Sequence, residues 1–276
     1  MKSFELEYLN FLNLKPEQPS FHFLEKICSS QLNTFPFENI SKLIYYHKGD
    51  FNVFKVPPME IFLHNYKEYN FGGTCYTLNF NLYMLLKQLG FSCYLTILGN
   101  QHMAIIVDLY DDKYYVDCGA AAPFFQPLLL QKENNKITNF GNDRIHILSK
   151  NEKAYDYVRI TDGKQSGETW KFNPAVSNEL ADFNSVIDKS NTPGSTFMLI
   201  LRCQMYQLKK NRSISLVNNK FGIRYVNGST KITTLNSPEE IIEVITEEFM
   251  LPKLPILEAI NVLKGFNIDI FSQNNE

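Results

Sequence analysis

Cys75 lies in the run Phe71-Gly72-Gly73-Thr74-Cys75-Tyr76-Thr77-Leu78-Asn79. It is followed by His102, inside an apolar run, and by Asp117 in Tyr114-Tyr115-Val116-Asp117-Cys118-Gly119. A thiol, an imidazole and a carboxylate in that order can form an activated nucleophile. The imidazole takes the thiol proton and the carboxylate holds the imidazole in place. A free thiol titrates at about 8.5, so such a nucleophile needs help to ionise at neutral pH. Covalent catalysis through Cys75 is therefore the leading chemical reading.

The elements that must position these groups follow from hydrophobic period. Leu78, Leu82, Leu85, Leu86 and Leu89 fall on one face of an amphipathic helix that starts near Thr74 and closes at Gly90. Cys75 sits in its first turn, where unpaired N–H groups and the helix dipole favour a thiolate. Gly72 and Gly73 permit a sharp approach to that turn. Phe91–Leu98, His102–Tyr110 and Lys113–Asp117 read as strands, with Asp111-Asp112 at or near a turn. A two-residue loop at 110–111 would set Asp117 diagonal to His102 on one face; a loop at 111–112 moves it out of reach, and an odd loop puts the pair on opposite faces.

Residues 3–13, 20–32 and 58–68 read as further helices. Short strands are expected around 124–130, 143–149, 155–160, 196–206, 212–217, 222–227 and 229–234. Residues 237–249 form a helix opened by Ser237-Pro238-Glu239-Glu240. The polar stretch 188–195 reads as a linker. The class is α+β, with three expected units: a helical unit over 1–90 carrying the nucleophile, a β unit over 91–187 carrying His102 and Asp117, and a linker with an α/β lid over 188–276.

A net charge of −2 gives no electrostatic case for nucleic acid or an acidic membrane surface. No apolar run is long enough to cross a bilayer, and the N-terminus lacks signal-peptide character, so a cytoplasmic setting is expected. The five cysteines show no paired or CxxC spacing, which argues against a zinc site. Cys28, Cys93, Cys118 and Cys203 lack the context of Cys75 and read as structural, and His22, His47, His64 and His146 have no partner pattern.

The segment around Cys75 resembles the arylamine N-acetyltransferase signature Arg-Gly-Gly-x-Cys-x-(Glu/Gln)-x-Asn. Phe35-Pro36-Phe37-Glu38-Asn39-Ile40 resembles that family's Pro-Phe-Glu-Asn-Leu motif, and Gln101-His102-Met103 and Val116-Asp117-Cys118-Gly119 match its His-Met and Val-Asp-x-Gly segments. The likeness runs through about residues 5–130 and more weakly through Phe197–Asn227. It implies a helical domain, a central β-barrel domain and an α/β lid, with a Cys-His-Asp core shared with transglutaminases and cysteine proteases. It implies acetyl-CoA as acyl donor, a small aromatic amine as acceptor, no metal, and a ping-pong mechanism through an acetyl-cysteine. Cys75, His102 and Asp117 would be catalytic, and Phe37 and Ala120 would border the acceptor pocket.

Two motif positions depart from the family. Phe71 replaces its Arg and Thr77 its Glu or Gln. Glu38 would lose the partner that Arg supplies, leaving Lys42 or Lys67 as replacement donors. The run Ala120-Ala121-Ala122-Pro123 replaces an aromatic residue and suggests a roomier or displaced pocket. No glycine-rich phosphate loop marks where CoA would lie. Three other readings stand beside the acetyltransferase: a related acyltransferase or amide-forming enzyme using a larger acyl donor or an internal amine, a transglutaminase-like hydrolase, and a low-activity or inactive scaffold of the same fold.

Overall fold

The computed structural model describes residues 3–52, 55–131 and 136–272. Helix α1 spans Ser3–Phe11 and α2 spans Phe21–Thr34, the latter capped by Ser20, whose hydroxyl accepts the Phe23 N–H at 3.1 Å. A short strand β1 (Phe37–Glu38) and helix α3 (Ile40–Lys48) follow, neither marked by the hydrophobic pattern. Helix α4 (Met59–Tyr69) begins after Pro58. Helix α5 (Cys75–Gln88) buries Leu78, Leu82, Leu85 and Leu86 as the leucine period requires.

The next four strands, β2 (Ser92–Leu98), β3 (His102–Leu109), β4 (Asp112–Val116) and β5 (Leu128–Leu130), form an antiparallel sheet in chain order. Tyr110 and Asp111 make the β3–β4 turn with φ of 54° and 67°, the left-handed pair of a two-residue hairpin loop. A second sheet joins β6 (Lys136–Phe140), β7 (Asp143–Asn151), β8 (Ala154–Thr161) and β10 (Trp170–Phe172), with β9 (Lys164–Gln165) paired to β8. The expected barrel takes the form of these two sheets around one core, which draws Leu98, Ile106 and Tyr115 from the first and Ile145, Tyr157 and Phe172 from the second. No ladder joins the two sheets among the described residues.

Helix α6 (Asn184–Ser190) runs into the stretch expected as a linker. Strands β11 (Arg202–Gln207), β12 (Arg212–Val217), β13 (Lys220–Tyr225) and β14 (Thr230–Thr234) form a meander, and β1 adds to its β11 edge. Residues 196–198, expected in a strand, instead form a 3-10 turn. Helix α7 (Pro238–Glu247) starts as read, with Ser237 accepting the Glu240 N–H at 3.3 Å and Pro238 in the first turn. Helix α8 (Ile256–Gly265) was not anticipated.

The C-terminal core gathers Leu216, Ile245 and Ile260 with Ile40, Leu43 and Ile44 of α3. Thus α3 is early in the chain yet packs with its last third. No helix among the described residues is long and apolar enough to cross a membrane.

Candidate active site

The hairpin turn at 110–111 decides the geometry. Ile105 pairs with Val116, so continuing the register sets Asp117 beyond β4, diagonal to His102 at the start of β3. The His102 Nε2 atom lies 2.7 Å from Asp117 Oδ2, with the carboxylate fully buried and the imidazole nearly so. The Cys75 thiol is among the groups that raise the pKa of the same imidazole, which sets it beside the ring. The three groups expected from chain order therefore meet at the start of α5, at the edge of the β2–β5 sheet.

Burial works against the imidazolium, but the Asp117 charge, the bond to Asp117 and then the neighbouring Cys75 thiol overcome it and raise the His102 pKa to about 10. The Thr74 side chain makes no capping bond, so the first N–H groups of α5 stay open beside Cys75. Cys75 is half-buried, whereas Cys28, Cys93, Cys118 and Cys203 are buried; all five are free thiols.

Asp117 is an acceptor hub. Its Oδ1 accepts from Asn79 Nδ2 at 2.8 Å and from the Gly119 N–H at 3.2 Å. Its Oδ2 accepts from the Tyr115 hydroxyl at 2.7 Å as well as from His102. Asn79 also donates to the Met103 carbonyl at 2.6 Å, tying α5 to β3.

Sequence reasoning missed Asn79 and Tyr115 as supports. Their spacing carried the signal: Asn79 is four residues after Cys75 on a helix, and Tyr115 two before Asp117 on a strand. Trp170, the single tryptophan, stacks on the His102 ring at 4.8 Å between centroids and 20° between planes. It arrives from β10, a strand without a sequence signal.

The Pro-Phe-Glu-Asn segment acts as a clamp. Glu38 is fully buried; Oε1 accepts the Gly72 N–H at 3.0 Å and Oε2 the Ser41 N–H at 2.8 Å. Burial raises its pKa to about 7, while the Ser41 and Gly72 bonds oppose that rise. The expected lysine partners do not serve. Lys42 donates to Ser190 Oγ at 3.0 Å, and Lys67 is exposed. Backbone N–H groups replace the missing arginine. Asn39 completes the clamp: its amide donates to the Phe197 and Ile200 carbonyls at 2.7 and 2.6 Å, and its carbonyl oxygen accepts the Arg202 N–H at 2.7 Å.

Phe71 is buried between Tyr45 and Tyr69, with ring centroids 5.6 and 5.2 Å away. Its ring thus belongs to the C-terminal core. Phe71→Arg is expected to cost about 3 kcal/mol or more, because it removes a packed ring and buries a charge where Glu38 is already satisfied. Urea unfolding reads the loss. Unchanged stability would show that Glu38 gains from an ion pair its backbone donors do not replace.

Phe37 is buried against Phe197 at 5.4 Å, and Ala120 is half-buried in the turn after Asp117. That turn packs on Cys75: a Cβ at Gly119 would lie 2.8 Å from Cys75 Cα. Thr77 lines a cavity shared with Lys42, Thr74 and Tyr76. Among the described residues, no cluster of three His, Cys, Asp or Glu side chains could hold a metal ion.

The N-acetyltransferase family model matches residues 20–254. Comparison with the sequences of curated proteins returns no match. Among solved structures, the arylamine N-acetyltransferase from Salmonella typhimurium superposes with a TM-score of 0.77 at 16% identity, over 96% of this chain and 99% of that one. The Mycobacterium marinum arylamine N-acetyltransferase in complex with CoA gives 0.73 at 14% identity, over 95% and 98%. The arylamine N-acetyltransferase from Bacillus cereus, described as having a unique Cys-His-Glu catalytic triad, gives 0.71 at 18% identity, over 90% and 98%. The third position of this chain's constellation is Asp117. With most of the chain matched by the family model and its fold shared with these structures, the protein belongs to the arylamine N-acetyltransferase family and is an acyltransferase.

Proposed function

We propose that the protein transfers an acetyl group from acetyl-CoA to an arylamine, arylhydrazine or arylhydroxylamine through an acetyl-Cys75 intermediate. One observation carries the reading: the 2.7 Å His102–Asp117 bond, with Cys75 beside the same imidazole. With Nε2 committed to Asp117, Nδ1 is the atom that exchanges a proton with Cys75.

The Cys75 sulfur attacks the thioester carbonyl, the carbon–sulfur bond to CoA breaks, and the imidazolium returns its proton to the departing CoA thiolate. The acceptor nitrogen then attacks the acetyl-cysteine. His102 takes the proton that the nitrogen sheds and gives it to the Cys75 thiolate. Asp117 holds the tautomer and stabilises the imidazolium. The open N–H groups at the start of α5 supply positive potential for the developing oxyanion. Phe37 and Ala120 border the acceptor.

The division into units over 1–90, 91–187 and 188–276 is part of this reading, supported by the separate sheets, although α3 packs with the last unit. So is a reducing, cytoplasmic setting, supported by five free thiols.

Incubation with acetyl-CoA is expected to add one acetyl group to the intact protein and release one CoA per chain, with neither event in Cys75→Ala. Adding an arylamine should discharge the label. A wild-type protein that gains no mass from acetyl-CoA, but does from a longer acyl-CoA, would replace the donor. One that gains no mass from either would overturn the reading.

A further inference from the structure

Lys42 is a buried cation without a counter-ion. It sits in the first turn of α3 and is 6% exposed. Its Nζ donates to Ser190 Oγ at 3.0 Å, and no carboxylate among the described residues lies within ion-pair distance of it. Ser190 Oγ donates in turn to the Ile187 carbonyl at 3.0 Å, so that hydroxyl needs nothing from the lysine. An ammonium taken out of water costs stability unless another charge compensates it. Burial lowers the Lys42 pKa to about 8, and the charge that opposes the fall is that of Cys75. The group therefore stays largely protonated at pH 7.

The fold sets this ammonium beside the start of α5. Glu38 accepts the Ser41 N–H at 2.8 Å and the Gly72 N–H at 3.0 Å, so one carboxylate ties the first turn of α3 to the loop before Cys75. The Glu38 N–H donates to the Gly73 carbonyl at 3.0 Å and holds the same joint. Lys42 then lines one cavity with Thr74, Tyr76 and Thr77, which flank Cys75 on both sides in the chain. Thr77 brings a hydroxyl to that cavity and no counter-charge.

The other titratable groups around the lysine are neutral or committed. Burial holds Tyr45 and Tyr76 in their neutral forms. Lys55, also on the cavity wall, pairs with Asp188 of α6. Glu38 is spent on backbone N–H groups. His102 and Asp117 belong to the sheet side of Cys75. The sulfur is thus the group left for the Lys42 charge to act on.

We propose that Lys42 is a positioning residue for acyl transfer, its uncompensated ammonium holding Cys75 as a thiolate from the α3 side while His102 acts from the sheet side. The inference rests on the acetyltransferase reading in taking Cys75 as the attacking atom. A nearby positive charge favours the ionised thiol, and the open N–H groups of α5 act in the same sense. No bond to the substrate is required of the lysine. Its cost to the fold is what a charge kept for chemistry would leave behind.

The test follows the rate of iodoacetamide alkylation at Cys75 from about pH 4 to 9 in wild type, Lys42→Met and Lys42→Arg, with the modified residue located by peptide mass. Methionine keeps the length and apolar stem of lysine without its charge. Lys42→Met should move the alkylation midpoint up by about one pH unit, which is about a tenfold slower reaction below both midpoints. Lys42→Arg should stay within about twofold of wild type. CoA release from acetyl-CoA should slow in Lys42→Met with little change in KM. Stability should move the other way. The folded pKa of Lys42 lies below the unfolded one, so its cost is fully present below about 8 and fades by about 10.5. Lys42→Met should therefore raise the urea midpoint at pH 7. Superposable alkylation profiles for wild type and Lys42→Met would overturn the proposal. So would equal shifts in Lys42→Met and Lys42→Arg, or a Lys42→Met protein that is less stable with an unchanged profile, which makes the lysine structural. If wild type is alkylated but gains no acetyl group from acetyl-CoA, the transferase reading fails while the profiles still decide whether Lys42 governs the thiolate.

Discussion

Asp117→Asn is expected to cut acetyl transfer by about 10³-fold or more while leaving the protein folded. Every group that touches the carboxylate is a donor: Asn79, Gly119, Tyr115 and His102. An amide presents one oxygen and one NH2, so one side of this hub must meet a donor. The least costly relief is for the Tyr115 hydroxyl to turn and for His102 to change tautomer, placing its N–H toward Cys75. That leaves no base to accept the thiol proton.

The substitution also reverses the pH behaviour of the imidazole. In the wild type, the Asp117 charge holds the His102 pKa at about 10 against burial. The folded value lies above the unfolded one, so this pair stabilises the fold fully below about 6.5 and loses its contribution as pH rises through 10. With the charge removed, burial is opposed only by the smaller contribution of Cys75, and the imidazole becomes neutral at physiological pH. The stability gap between wild type and variant should therefore be large at pH 6 and narrow toward pH 10. Thermal unfolding at several pH values, paired with the rate of iodoacetamide alkylation of Cys75, measures both effects. Equal alkylation rates across the pH range would show that Asp117 does not govern the imidazole.

Gly72→Ala is expected to be the most damaging single methyl in the described chain, costing about 3 kcal/mol or more. A Cβ there would fall 1.9 Å from the Pro36 carbonyl oxygen and 3.0 Å from its carbon, both backbone atoms that no rotamer change can move. The backbone must shift, and the Gly72 N–H that satisfies Glu38 Oε1 shifts with it. A buried carboxylate then loses a backbone donor three residues before Cys75. Gly265→Ala is the control, since a Cβ there meets nothing within 4 Å. Urea midpoints should separate the two. A Gly72→Ala protein as stable as the control would mean that this close approach is not maintained in solution.

The setting of Cys75 was legible because five leucines report the buried face of α5 and fix Cys75 at its start. The meeting of His102 with Asp117 was legible only as one of several registers. Tyr110 and Asp111 adopt the left-handed turn without the glycine or asparagine that usually marks it. The fate of Glu38 was not legible, because its partners are backbone N–H groups and every residue type but proline carries one. A missing arginine is visible in the sequence; its replacement by main chain is not. Helix α3 escaped notice for a related reason. Its buried residues Ile40 through Tyr45 face a core built by the last third of the chain, so no local period announces them. Trp170 likewise reaches His102 from a three-residue strand too short to leave a pattern.

The packing of α3 bears on how the chain is made. Ile40, Leu43 and Ile44 leave the ribosome long before Leu216, Ile245 and Ile260 are synthesised to cover them. Asn39 likewise waits for residues 197 to 202 to supply its three partners. Until then the nascent N-terminal part carries an apolar helix without a cover and a buried-type asparagine without bonds, which invites capture by chaperones or by other nascent chains. Such sequence-distant closure also slows folding, since the loop entropy is lost before the contacts form. The clamp around Asn39 thus closes only after residues 197 to 202 have been made, well after Cys75, His102 and Asp117.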